Sequence, residues 1–133
     1  MTRKELREHI FKMVFQLEFN VPDDMQEHLD LYLEELESAA EKDIEYIQNK
    51  YKAIAEKVEE IDAILNETSS GWKTNRMNRV DLAILRLAVY ELKWDEDIPN
   101  GVAINEAVEL AKKFSGESAP AFVNGVLAKI VEK

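Results

Sequence analysis

The sequence predicts an all-α fold, and three observations carry that expectation. Glycine and proline are scarce, at 4 and 3 residues, while leucine, alanine, glutamate and lysine are abundant. No run of alternating β-branched residues asks for a strand. Apolar residues recur every three or four positions along most of the chain, which is the period of a helix with one buried face. At 133 residues, 46% of them hydrophobic, the chain is long enough to build its own core, so a single domain spanning 1–133 is expected.

The first helix is expected over about 3–19. Leu6, Ile10, Met13, Val14 and Leu17 line one face, and Phe11, Phe15 and Phe19 repeat on nearly the opposite one. Only a narrow polar strip of Glu5, His9, Lys12 and Gln16 is left, as in a central helix held between two sets of neighbours. Val21-Pro22 ends it, and Asp23 or Asp24 can cap a second helix to about Glu37 with Met25, Leu29, Tyr32, Leu33 and Leu36 as its stripe. From about Ile44 to Leu65, the series Ile47, Tyr51, Ile54, Val58, Ile61 and Leu65 predicts one long helix. Thr68-Ser69-Ser70-Gly71 breaks the pattern, and Trp72 to Met77 reads as a short turn packed by the indole.

Asn78, with Asp81 three residues on, can cap a helix to Lys93 or Trp94 whose core face is Val80, Ala83, Ile84, Leu87, Ala88 and Leu92. Asp95 to Gly101, containing Pro99, reads as a loop. Ala103, Ala107, Val108, Leu110, Ala111 and Phe114 then mark a helix closed by Gly116. Ser118 can cap a last helix with Pro120 in its first turn. Six main helices follow, arranged as two subbundles sharing the first one. Within the last helix, Asn124-Gly125 is costly, since glycine loses about 1 kcal/mol against alanine there; the expected return is close approach of a neighbouring helix, with Gly125 as a packing residue.

Charge is unevenly spread. The net charge is −10, yet residues 23–67 hold fifteen carboxylates against four lysines, so the two ends are close to neutral. In the first twelve residues Arg3, Lys4, Arg7 and Lys12 outnumber Glu5 and Glu8, giving a small basic end where a polyanion would be met. There is no cysteine, which excludes disulfides, thiolate metal sites and a cysteine nucleophile. With no signal-type segment and no run of about 20 apolar residues, a soluble cytoplasmic protein is expected.

Enzyme chemistry finds little support. His9 and His28 lie on separate helices, outside any recognisable nucleophile motif, and read as exposed helical histidines. Glu56, Glu59 and Glu60 lack a histidine at di-iron spacing and read as a solvated face. The glycines at 71, 101, 116 and 125 form no phosphate loop, and no cofactor or metal is expected. A binding function fits better: Arg3 and Arg7 sit four residues apart on one side of a helix whose N-terminus itself favours phosphate, with Lys4 beside them.

The stretches Arg86-Leu87-Ala88-Val89-Tyr90-Glu91-Leu92, Val102-Ala103-Ile104-Asn105-Glu106-Ala107-Val108-Glu109-Leu110-Ala111-Lys112 and Phe122-Val123-Asn124-Gly125-Val126-Leu127, with Pro99 between the first two, resemble the NusB family of bacterial transcription antitermination factors. In looser form the likeness extends to Arg7, Ile61-Asp62 and Trp72, and so covers essentially the full chain. It implies an all-α fold of two three-helix subbundles sharing a central N-terminal helix, and a non-enzymatic RNA-binding function. Members of the family pair with the small-subunit ribosomal protein NusE, bind boxA single-stranded RNA in nascent transcripts, notably of ribosomal RNA operons, and help assemble the antitermination complex on RNA polymerase.

Carried onto this chain, the RNA-binding residues implied are Arg3, Lys4, Arg7, Lys12, Ser118 and Phe122, and the NusE-binding ones Arg76, Arg79 and Asp81. Cations would position phosphates, and Phe122 would stack on an unpaired base, although its apolar stripe suits a core residue equally well. Glu5 and Glu8 interrupt a basic run that is often denser in this family, which implies few neutralised phosphates and reliance on the partner. Two alternatives stand beside this reading. One is the RNA-binding module of an RNA cytosine methyltransferase, which would need a catalytic domain beyond Lys133. The other is a helical adaptor that docks through the acidic middle and binds no RNA. A monomer and a homodimer are both compatible with the two apolar faces of the first helix.

Overall fold

The computed structural model describes residues 1–17, 25–34, 36, 39–69 and 73–132, with the side chains of 25–29 outside that description. Among the described residues the regular structure is entirely helical: α1 (Arg3–Gln16), α2 (Met25–Glu34), α3 (Glu41–Glu56), α4 (Val58–Thr68), α5 (Arg79–Trp94), α6 (Asn100–Phe114) and α7 (Ala119–Glu132), with a 3-10 turn at Thr74–Arg76 before α5. The expectations for Phe19, Val21-Pro22, the Asp23 or Asp24 cap, Gly71 and Trp72 lie outside the described residues, as does the side chain of His28.

α1 starts on a reciprocal cap. The Thr2 hydroxyl accepts from the Glu5 amide at 3.1 Å, and the Glu5 carboxylate accepts from the Thr2 amide at 3.2 Å, so two of the helix's free donors are satisfied locally. Both faces of α1 are used as its sequence demands: Ile10, Phe11, Met13 and Val14 are all buried. The helix packs against α3 and α5. α5 is the other hub, touching α1, α3, α4, α6 and α7. Every side chain from Leu82 to Val89 is buried, so it is a core helix with almost no wet face. Alanines at 83, 88, 103, 107, 111 and 119 are buried among α5, α6 and α7 and let these three helices approach closely.

The long helix expected over 44–65 is two helices. Lys57 is both the last cap of α3 and the first of α4, with φ −108° and ψ 10°, and the chain turns there within one residue. The hydrophobic series runs through the turn unbroken because each piece keeps its own apolar face inward: α3 packs chiefly on α1, α4 on α5 and α7. A one-residue break with no proline or glycine leaves no mark in a three-or-four periodicity.

Two smaller expectations also change. α6 begins at Asn100, capped by Pro99, so Gly101 belongs to its first turn. Asn78 caps α5 as expected, its Oδ1 accepting from the Val80 amide at 2.8 Å and the Asp81 amide at 3.4 Å, while the Asp81 carboxylate accepts the Ser115 hydroxyl. The larger correction concerns Gly125. Both Asn124 and Gly125 are exposed, and a Cβ on Gly125 would meet nothing within 4 Å. No helix approaches it, so Gly125 is not the packing residue that its place in an apolar stretch suggested; the buried face of α7 is Ala119, Val123, Val126, Leu127 and Ile130, one step round the helix.

Candidate nucleic-acid interface

The basic start of α1 separates into three kinds of residue. Arg3 and Lys4 are exposed in its first turn. Glu5, one of the acids that interrupts them, is engaged in the cap, and the hydrogen bond from the Thr2 backbone holds its carboxyl below the usual glutamate range. Arg7 is the surprise, because it points inward. It is 7% exposed, and its Nε and Nη2 donate to the two carboxylate oxygens of Glu91 at 3.2 and 2.9 Å. Glu106 lies 3.7 Å from Nη1. Spacing of four residues puts Arg3 and Arg7 on one side of the helix, but that side dives toward α5 one turn in, so the expectation of an exposed Arg7 is corrected.

Glu91 is 1% exposed and holds a second cation, Lys50 of α3, whose Nζ lies 2.7 Å from Oε2 and 3.2 Å from Asp95. Burial works against the charge of both Arg7 and Lys50, yet the carboxylate between them more than compensates and raises both above their ordinary values. This network fastens α1 and α3 to α5 under the basic turn. A second fork fastens α4 to α5, with Arg86 Nε and Nη2 donating to Asp62 at 2.9 and 2.7 Å.

Lys12 lies two turns along from Lys4 and is exposed, its ammonium 5.7 Å from the centre of the Phe114 ring. Lys113, the residue before that ring, also reaches it, at 5.4 Å, and pairs with Glu8 at 2.7 Å. A groove of about 440 Å³ opens further on, where the start of α7 meets the start of α5. Ser118, Phe122, Arg76, Met77, Asn78 and Asp81 are among its lining. Phe122 is half-buried: it packs on the core and still presents surface to this groove, so the two readings of it are both partly true. Arg79 is exposed at the first position of α5.

The residues singled out in the sequence are therefore not one patch. Ser118 and Phe122 stand with Arg76 and Asp81, for which the resemblance implies a protein partner, while Arg3, Lys4 and Lys12 stand along α1. Sequence reasoning missed what lies between them, the Lys112-Lys113-Phe114 end of α6. Two adjacent lysines in the last turn of a helix are ordinary dipole partners, and only the fold shows them beside α1. His9 also differs from expectation: it is half-buried, with Nδ1 2.6 Å from the Tyr32 hydroxyl. Among the described residues no three His, Asp or Glu side chains could hold a metal ion, and no helix is long and apolar enough to cross a membrane.

Comparison with known proteins gives one consistent answer. The family model of the NusB family matches residues 4–132. The transcription antitermination protein NusB of Lachnoclostridium phytofermentans is 50% identical over 132 residues, covering 99% of this chain and 100% of that protein. The protein of the same name from Agathobacter rectalis is 53% identical over 129 residues, 97% of this chain and 98% of its own. Among solved structures, NusB of T. maritima superposes with a TM-score of 0.88 at 36% identity, over 100% of this chain and 92% of that one. A structure of the antitermination factors NusB and NusE in complex with double-stranded RNA matches with a TM-score of 0.81 at 28% identity, over 98% of this chain and 96% of that one.

Proposed function

The chain belongs to the NusB family, and from that membership we propose that it is a transcription antitermination factor that binds RNA together with NusE. No catalytic step is involved. The protein acts in the cytoplasm by holding a boxA segment of nascent RNA against a two-protein surface, from which the antitermination complex assembles on RNA polymerase. The observation that carries this reading is the groove where Phe122 and Ser118 meet Arg76 and Asp81. A partner seated on the start of α5 would border the same groove, so a base stacked on Phe122 would touch both proteins.

In this reading Arg3, Lys4 and Lys12 meet phosphates along α1, Phe122 offers its open face to an unpaired base, and Ser118 lines the path beside it. Arg76, Arg79 and Asp81 meet NusE. Arg7 contributes from underneath, by fixing the turn that carries Arg3 and Lys4. With so few free cations, RNA affinity depends strongly on the partner.

The test is a titration of boxA RNA and a scrambled RNA of equal length, with and without NusE. Tighter binding of boxA in the presence of NusE is expected. Equal binding of the two RNAs to the heterodimer would defeat the reading. Phe122→Ala should lower boxA affinity about 5- to 150-fold, the equivalent of one lost stacking contact of roughly 1–3 kcal/mol, while leaving NusE binding in place.

A further inference from the structure

A second groove, of about 340 Å³, runs between α1 and α6 and is lined by Lys4, Glu8, Glu109, Lys112 and Lys113 among others. Lys4, Glu8 and Lys12 are four residues apart on α1 and make a single row about 12 Å long. Lys112 and Lys113 face that row from the last turn of α6, both 60% exposed at the side chain. The row ends at Phe114, whose ring packs 5.1 Å from Phe11 and carries the ammonium groups of Lys12 and Lys113. From there Ser115, tied to Asp81, leads directly to Ser118 and Phe122.

Each carboxylate in the strip is already engaged: Glu8 with Lys113 at 2.7 Å, Glu109 with Lys112 at 3.4 Å and Glu106 with Arg7 at 3.7 Å. The Lys112 and Lys113 pairs are exposed, and exposed ion pairs are weak. A phosphate can displace either glutamate. On a molecule whose acid is concentrated in residues 23–67, a strip where lysines outnumber carboxylates is also where a polyanion would be drawn.

We propose that Lys112 and Lys113, with Lys12 positioned against them by Phe114, form a phosphate track that carries the RNA backbone from the Phe122 groove to Arg3 and Lys4. The proposal rests on the RNA-binding reading above and extends it to residues outside that set. The adjacent lysines of α6 are then more than partners of a helix dipole, because Lys113 reaches across to α1 and shares one ring with a lysine of that helix.

The experiment compares the full chain with the double variant Lys112→Gln, Lys113→Gln, each with NusE, binding boxA RNA over a range of salt. Two lost phosphate contacts on a single strand should reduce the slope of log K against log salt by about 1.4, which is about a 25-fold weaker complex at 0.1 M salt and a vanishing difference near 1 M. Glu8→Gln, which releases Lys113, should tighten binding. Unchanged affinity and slope in the double variant would overturn the track. A loss of equal size at every salt concentration, or weakened binding of NusE without RNA, would overturn it too, the latter by showing that the lysines dock protein. Failure of the underlying reading appears separately, as loss of boxA preference in the unaltered heterodimer.

Discussion

The Arg7 guanidinium lies fork to fork on the Glu91 carboxylate, with both partners sealed from water, directly beneath the turn of α1 that exposes Arg3 and Lys4. Arg7 and Arg3, one turn apart on the same side of α1, thus have opposite roles. One is spent inside, where it ties α1 to α5, and the other faces outward. Lys50 arriving on the same carboxylate from α3 makes Glu91 the point where three helices meet.

Glu91→Gln removes the one negative charge that Arg7 and Lys50 share. Breaking a buried ion pair from one side typically costs about 3–5 kcal/mol, because the remaining charge stays buried without compensation. Asp95 and Glu106 retain partial contact with the two cations, which places the expected loss toward the lower end of that range. Urea unfolding followed by circular dichroism measures it; a midpoint within error of the parent would show that the network contributes nothing to stability.

Arg3→Gln and Arg7→Gln separate the two roles. The Arg3 variant should unfold at the parent's urea concentration and bind boxA RNA more weakly, with a shallower salt dependence. The Arg7 variant should lose stability by about 1–3 kcal/mol, since it takes the two-pronged donor from a buried carboxylate and leaves Glu91 to Lys50. Identical stability for the two variants would mean that Arg7 behaves as a surface cation after all.

His9 gives stability a pH dependence. Its partial burial, aided by nearby Lys12, lowers its pKa, with Glu8 and Glu5 opposing less strongly. The unfolded chain therefore takes up a proton near pH 6.5 that the folded protein takes up only at lower pH. Its contribution is complete above that value and declines as the pH falls below it toward the lowered folded-state value. Comparing unfolding midpoints at pH 8 and pH 5.5, His9→Gln should lose less than the parent. Parallel losses would remove His9 from the account.

Helix identity was largely legible from periodicity, because burial of a stripe leaves a repeating trace in residue type. The trace does not record where a buried helix turns, so the break at Lys57 was invisible. Nor does it separate a cation paired across 84 residues from one in water: Arg7 and Arg3 differ only in what the fold brings near them. The family signature around Val102–Lys112 and Phe122–Leu127 supplied the function, which no periodicity carries. The joining of Phe122 to Arg76 and Asp81 depends on how α7 meets α5, and that is a property of the assembled bundle.

Gly125 is the sharpest reversal and leads to a direct measurement. Its backbone is in the middle of α7 with no positive φ among the described residues, and the space a methyl group would fill is open. Alanine there should restrict the unfolded chain and favour the helix at no steric cost, so Gly125→Ala should stabilise by about 0.4–1 kcal/mol. Thermal denaturation would show this as a rise of a few degrees, given about 2–8 °C per kcal/mol for domains of this size range. Gly125→Leu should fold as well, since Gly125 is exposed and a Cβ there meets nothing within 4 Å. If both variants fold normally yet bind RNA or NusE less well, the open face of α7 is a contact surface for the partner complex; a leucine variant that fails to fold would restore Gly125 as a packing residue.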